Sequence, residues 1–117
     1  MPQQDLYIGL GNVAYALAKM DGRLQPEEAA SLQQLLREEP HGEIACNAFN
    51  LNDRYGVKAE DAYLFAFRRF TENRRDLDAG LKKKFINILQ RVADSVEGTS
   101  RKEHELLRRC RKEINRL

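Results

Sequence analysis

Histidine and cysteine are scarce in this chain, with two of each among 117 residues. Cys46 and Cys110 lie far apart, and neither sits in a C-x-x-C arrangement, which argues against a local redox pair. Each occupies an apolar-periodic position, so both are expected as small buried hydrophobes in a reducing compartment. No apolar run approaches the roughly 20 residues of a membrane span. Met1 to Asp5 lacks the basic start of a secretory leader, so a cytosolic protein without membrane contact is expected. Glycine-rich phosphate loops are missing: Gly9 and Gly11 fall inside a helical pattern with no strand before them. Neither cysteine has an obvious base beside it, and the chain is not expected to be an enzyme. A formal net charge of +2 is too small to imply nucleic acid by itself.

What is present is helical periodicity. Leu6, Leu10, Val13, Ala14, Leu17 and Ala18 recur every three or four residues up to Asp21-Gly22. Gly9 and Gly11 are odd there, each costing about 1 kcal/mol relative to Ala. Either they permit close helix approach, or the helix settles only at Asn12. Pro26 suits a first helical position, and Glu27 and Glu28 complement the dipole of a second helix carrying Leu32, Leu35 and Leu36. A third runs from about Glu43 to Tyr55, with Ile44, Ala45, Ala48, Phe49 and Leu51 apolar, and Gly56 punctuates it. A fourth, from Glu60 to Thr71, points Ala62, Phe65, Ala66 and Phe70 inward, leaving Tyr63 and Phe67 off the main stripe. The fifth buries Leu81, Phe85, Ile88, Leu89, Val92 and Ala93 and exposes Lys82, Lys83, Lys84 and Arg91. Ser100 to Glu103 reads as a capping box opening a sixth, with Leu106, Leu107, Cys110, Ile114 and Leu117 inward. No segment alternates with the two-residue period of a half-buried strand. The expectation is all-α: a single compact bundle of about six helices over residues 1–117.

The two ends of the chain echo each other. In the first half an apolar helix closes on Asp21-Gly22 and Glu27-Glu28 follow; in the last third another closes on Glu97-Gly98 and Glu103 follows. With one residue missing from the second loop, Glu28 matches Glu103, Leu32 matches Leu107 and Leu35 matches Cys110. The bundle therefore reads as pseudo-repeated helix, acidic turn, helix halves.

The run Ala18-Lys19-Met20-Asp21-Gly22-Arg23-Leu24-Gln25-Pro26-Glu27-Glu28 resembles the signature of TerB-like domains, the tellurite-resistance family. Such domains show Ala-x-x-Asp-Gly, then a hydrophobic residue, then a glutamate between early helices. Val92 to Glu103 is similar to their second turn, but has Val96-Glu97-Gly98 where the family has Ala-Asp-Gly, and a shorter loop. The resemblance implies a small bacterial binding or scaffold module linked to tellurite or general stress. It also implies a divalent cation held by acidic residues of the paired turns. Carried onto this chain, the ligands are Asp21, Glu28, Glu97 and Glu103, with Glu27, Asp94 and His104 as additional candidates. Carboxylates suit hard cations such as Ca²⁺, Mg²⁺ or Mn²⁺.

A plainer account covers the same residues. Asp21 can end a helix, Glu27 and Glu28 can complement a dipole, and Glu103 has work in a capping box. On that account the chain is a charged protein-interaction domain without metal, suited to a protein partner or to head-to-tail self-association. Charge asymmetry agrees: Arg101, Lys102, Arg108, Arg109, Arg111, Lys112 and Arg116 crowd the last helix, while Asp21 to Glu43 is acidic. Glu105–Arg109 is the expected i,i+4 pair there. No aromatic residues interleave the cations as a stacking platform requires, so nucleic acid is the weaker partner class.

Overall fold

The most apolar helix of the chain lies at its centre. The computed structural model describes residues 2–20, 24–95 and 101–117. Among these, six α-helices follow in order: α1 Pro2–Lys19, α2 Pro26–Arg37, α3 Gly42–Arg54, α4 Ala59–Glu72, α5 Ala79–Ser95 and α6 Arg101–Arg116. No strand occurs among the described residues. α1 is buried from Leu6 to Ala18 except at Ile8, as an all-round apolar helix must be. It packs along its length against α3 and α4, and α5, α6 and α2 complete the enclosure.

The two glycines of α1 explain how its neighbours come so close. The helix is continuous from Pro2, so it does not wait for Asn12 to begin. Gly9 and Gly11 stand two residues, or about 200°, apart around the axis. A Cβ on Gly9 would lie 2.5 Å from Phe70 Cε1 of α4. A Cβ on Gly11 would overlap the Ala45 carbonyl oxygen of α3 and sit 2.9 Å from its carbon. Each glycine thus admits a different neighbour. Beside the α1–α3 contact, buried Asn52 donates its amide to Asn12 Oδ1 at 2.7 Å and to the Ala48 carbonyl at 3.0 Å. These bonds give the buried amides partners inside the interface, which lowers the cost of burying them.

α3 closes on Gly56, whose φ of 60° is the left-handed conformation favouring glycine. Gly56 N–H donates to Asp53 O at 3.3 Å and Val57 N–H to Asn52 O at 3.0 Å, the Schellman pattern. The Val57 carbonyl then accepts the Tyr15 hydroxyl of α1 at 2.6 Å, fixing the turn to the central helix. α2 and α3 are tied by reciprocal amide bonds between Gln33 and Asn50 of 2.8 and 3.1 Å. Arg111 of α6 donates to Gln90 of α5 at 3.0 Å, and Lys82 donates to the Leu117 oxygen, so these two helices run antiparallel.

Two expected core positions are corrected. Leu51 is 52% exposed and Phe65 is 45% exposed, whereas Tyr63 is wholly buried and Phe67 half-buried. The inner face of α4 is Ala62, Tyr63, Ala66 and Phe70, rotated from the expected stripe. Tyr63 stacks on Phe67 with centroids 4.6 Å apart, and Phe67 meets Phe70 edge-on at 5.1 Å. Such geometries add about 0.5–1.5 kcal/mol beyond area burial. Both cysteines are free and buried, as their positions predicted.

The Gly11 contact is with backbone, which has no rotamer to give. Gly11→Ala is therefore expected to destabilise by at least about 3 kcal/mol in urea unfolding, at the upper end of ordinary overpacking. Gly80→Ala is the control. Its Cβ would have ordinary contact, 3.5 Å from Asp78 Oδ1, and should be neutral or stabilising by about 0.5–1 kcal/mol. Equal effects at both positions would refute the close-approach account.

Candidate functional site

The expected site consists of two turns, after α1 and after α5. Asp21 and Gly22 of the first, and Glu97, Gly98 and Ser100 of the second, lie outside the described residues. Their flanks are described. Met20, at the tail of α1, shares a depression of about 190 Å³ with Lys102, Glu105, Leu106 and Arg109 of α6. The tail of α1 and the head of α6 therefore meet at one end of the bundle.

Glu28 stands in the first turn of α2, half-buried. Its Oε1 accepts the Gln25 backbone N–H at 3.4 Å, the back-bond of a capping box. This is the job the sequence assigned to Glu103; the Ser100 half of that second box lies outside the described residues. Glu27 is exposed beside Glu28. Asp94 is exposed and accepts from Gln90 Nε2 at 3.0 Å, a helix-surface pairing. His104 is exposed and lines the α5–α6 groove with Gln90, Leu107, Arg108 and Arg111. Among the described residues, no group of three or more His, Cys, Asp or Glu is placed to hold a metal ion.

Glu103 differs from every other acidic side chain described. It is 0% exposed, in the first turn of α6, beside the buried Leu106 and Leu107. It is engaged within the fold. A carboxylate removed from water costs several kcal/mol unless donors or opposite charge compensate. A helix N-terminus offers part of that compensation through free N–H groups and dipole. Its helical spacing to Leu106, Leu107 and Cys110 was the available signal that it faces inward.

Two polar clusters were not visible in the sequence. In the first, the Tyr63 hydroxyl donates to Glu113 Oε1 at 2.6 Å, and Arg109 Nε donates to the same oxygen at 2.8 Å. Arg109 Nη1 also reaches both oxygens of Glu60 at 3.0 and 3.1 Å, with its guanidinium carbon 4.2 Å from the Tyr63 ring centre. The expected Glu105–Arg109 pair is replaced by Arg101–Glu105 at 3.3 Å and Arg109–Glu113 at 2.8 Å. Burial, then the bond to Glu113, pushes the Tyr63 phenol pKa far up, so it stays a donor. In the second cluster, Lys84 pairs with Glu39 at 2.9 Å beside the buried Tyr7. Tyr7 is also in ring contact with His41 and Phe85. The Glu39 hydrogen bond holds the Lys84 ammonium above its ordinary value, and burial raises the Tyr7 phenol.

No protein-family model, curated protein or solved structure matches this chain.

Burial raises both thiols, Cys110 from 9.0 up to about 12. A protonated thiol favours folding, so its contribution is intact below pH 9 and lost as pH climbs through 12. Stability in urea should therefore hold to about pH 8 and fall above pH 9, with the buried phenols acting in the same direction. Cys110→Val should lose about 2–3 kcal/mol less than the parent between pH 8 and 11. An unchanged pH profile in that variant would remove Cys110 from the account.

Proposed function

We propose that the chain is a TerB-like helical binding or scaffold module, cytoplasmic and bacterial, serving tellurite or general stress response. Its ligand is a hard divalent cation, Ca²⁺, Mg²⁺ or Mn²⁺, held by acidic residues of the paired turns. The observation that carries this reading is the wholly buried Glu103 carboxylate at the head of α6, on the end that α6 shares with the tail of α1. A carboxylate offers two oxygens and about four lone-pair positions, so engagement of Glu103 within the fold is compatible with its ligating an ion. Asp21 and Glu97 belong to the adjoining turns, and Glu28 keeps a free oxygen beyond its bond to Gln25. Carboxylate oxygens match the preference of hard cations.

Binding rather than catalysis is supported by the thiols, which burial holds protonated at neutral pH and which therefore make poor nucleophiles. Among the described residues, no helix is long and apolar enough to cross a membrane. A second reading, an interaction domain without metal, is favoured by the exposed Leu51, Tyr55, Leu64 and Phe65.

Calorimetric titration with each of the three ions separates the readings. The parent should bind at least one, and the bound ion should raise its melting temperature, by about 2.7 kcal/mol of stabilisation at a hundredfold excess over Kd. Asp21→Asn and Glu103→Gln should each abolish the heat while circular dichroism shows the helices retained. Silent titrations for all three ions would leave only the metal-free interaction domain.

A further inference from the structure

The outer seam between α5 and α6 combines cations with neutral amides. Two depressions, of about 430 and 160 Å³, follow this seam and share Arg111 as a common wall. Lys82 and Lys83 enter from α5, and Arg108, Arg111 and His104 from α6. Asn87, Gln90 and Asn115 lie between these cations, over a floor that includes Ile86 and Leu107. Among the described residues, no carboxylate side chain lines either depression. Arg111 rests against the neutral amide of Gln90 rather than an acid. The contrast with the other side of α6 is direct, because there Arg109 is neutralised by Glu60 and Glu113.

We propose that this seam is a docking groove for an acidic peptide segment of a partner protein. The cations supply attraction for carboxylates. The amides decide between polymer classes: the Asn87 and Asn115 side chains both donate and accept, matching a peptide backbone that has N–H and C=O groups. A phosphodiester backbone presents acceptors only, and no aromatic side chain lines the groove to stack a base. The apolar floor suits intervening hydrophobic residues. His104 and Asn115 stand eleven residues apart on α6, so the seam is roughly 16 Å long, room for about five extended residues. The groove opens along the side of the bundle and does not need the cation site for its chemistry.

The test uses the full chain and fluorescence anisotropy with a labelled peptide of alternating Glu and Leu, with and without EDTA. Binding should weaken with salt and persist in EDTA. Arg108→Gln with Arg111→Gln should weaken it by roughly tenfold or more, while Lys102→Gln with Arg116→Gln, an equal charge loss elsewhere on α6, should change it less than about threefold. These four positions are exposed, and circular dichroism verifies that each variant folds. Equal loss in both variants would mean diffuse attraction and overturn the groove. So would absent peptide binding, or binding lost in EDTA. Tighter, groove-dependent binding of a single-stranded oligonucleotide would reassign the seam to nucleic acid. A concentration-dependent dimer broken by the groove variant would reassign it to a second copy of this chain.

Discussion

The approach of α3 to α1 at Gly11 is the constraint on which the other contacts depend. With a backbone carbonyl of Ala45 where a side chain would otherwise be, the two helices touch without an intervening layer. Residues to either side of that point must then fit a narrow interface. Asn12 and Asn52 fit by bonding each other, and Tyr15 and Phe49 fit edge-on at 5.7 Å. Tyr15 also sends its hydroxyl to Val57, so the same interface fixes the turn that launches α4. On the opposite side Gly9 receives the Phe70 ring from α4. A helix hemmed in this way cannot slide, and its tail is delivered to a fixed place beside the head of α6.

Most of this architecture was legible in the sequence. Six apolar-periodic segments became six helices among the described residues, and the punctuation by Pro26 and Gly56 fell at or beside their boundaries. The rotation of α4 was not legible. Both the set with Phe65 and the set with Tyr63 recur at helical spacing, so periodicity cannot choose between them. The choice is made by a partner remote in sequence: Tyr63 turns inward because its ring packs on Phe67 while its hydroxyl reaches Glu113. Phe65 is then carried outward. Gly9 and Gly11 posed a similar ambiguity, resolved only by knowing which helices lie against them.

The acidic turns were legible as motifs but not as geometry. The sequence offered a capping box only at Glu103, yet the back-bond described belongs to Glu28, read there as complementing a helix dipole. Glu103 is distinguished instead by complete burial. Sequence spacing could place it on the inner side of α6 but could not say that α1 would end beside it. That juxtaposition comes from the order of packing around α1, a tertiary property.

The cations of the last helix show the same limit from the other direction. In sequence Arg108, Arg109, Arg111 and Lys112 look like one basic block. Helical geometry splits the block, because neighbours in sequence stand about 100° apart around the axis. Arg109 falls toward α4, where Glu60 and Glu113 hold it over the Tyr63 ring, and its charge is spent on joining two helices. Arg111 falls toward α5, where the Gln90 amide meets it, and Arg108 lines both this seam and the neighbouring depression that holds Glu105 and Glu113. A charge held by two acids adds little to the field outside, whereas a charge facing amides contributes in full. The basic block of the sequence is therefore divided by the fold, with Arg109 neutralised between two helices and Arg111 left facing the α5–α6 seam.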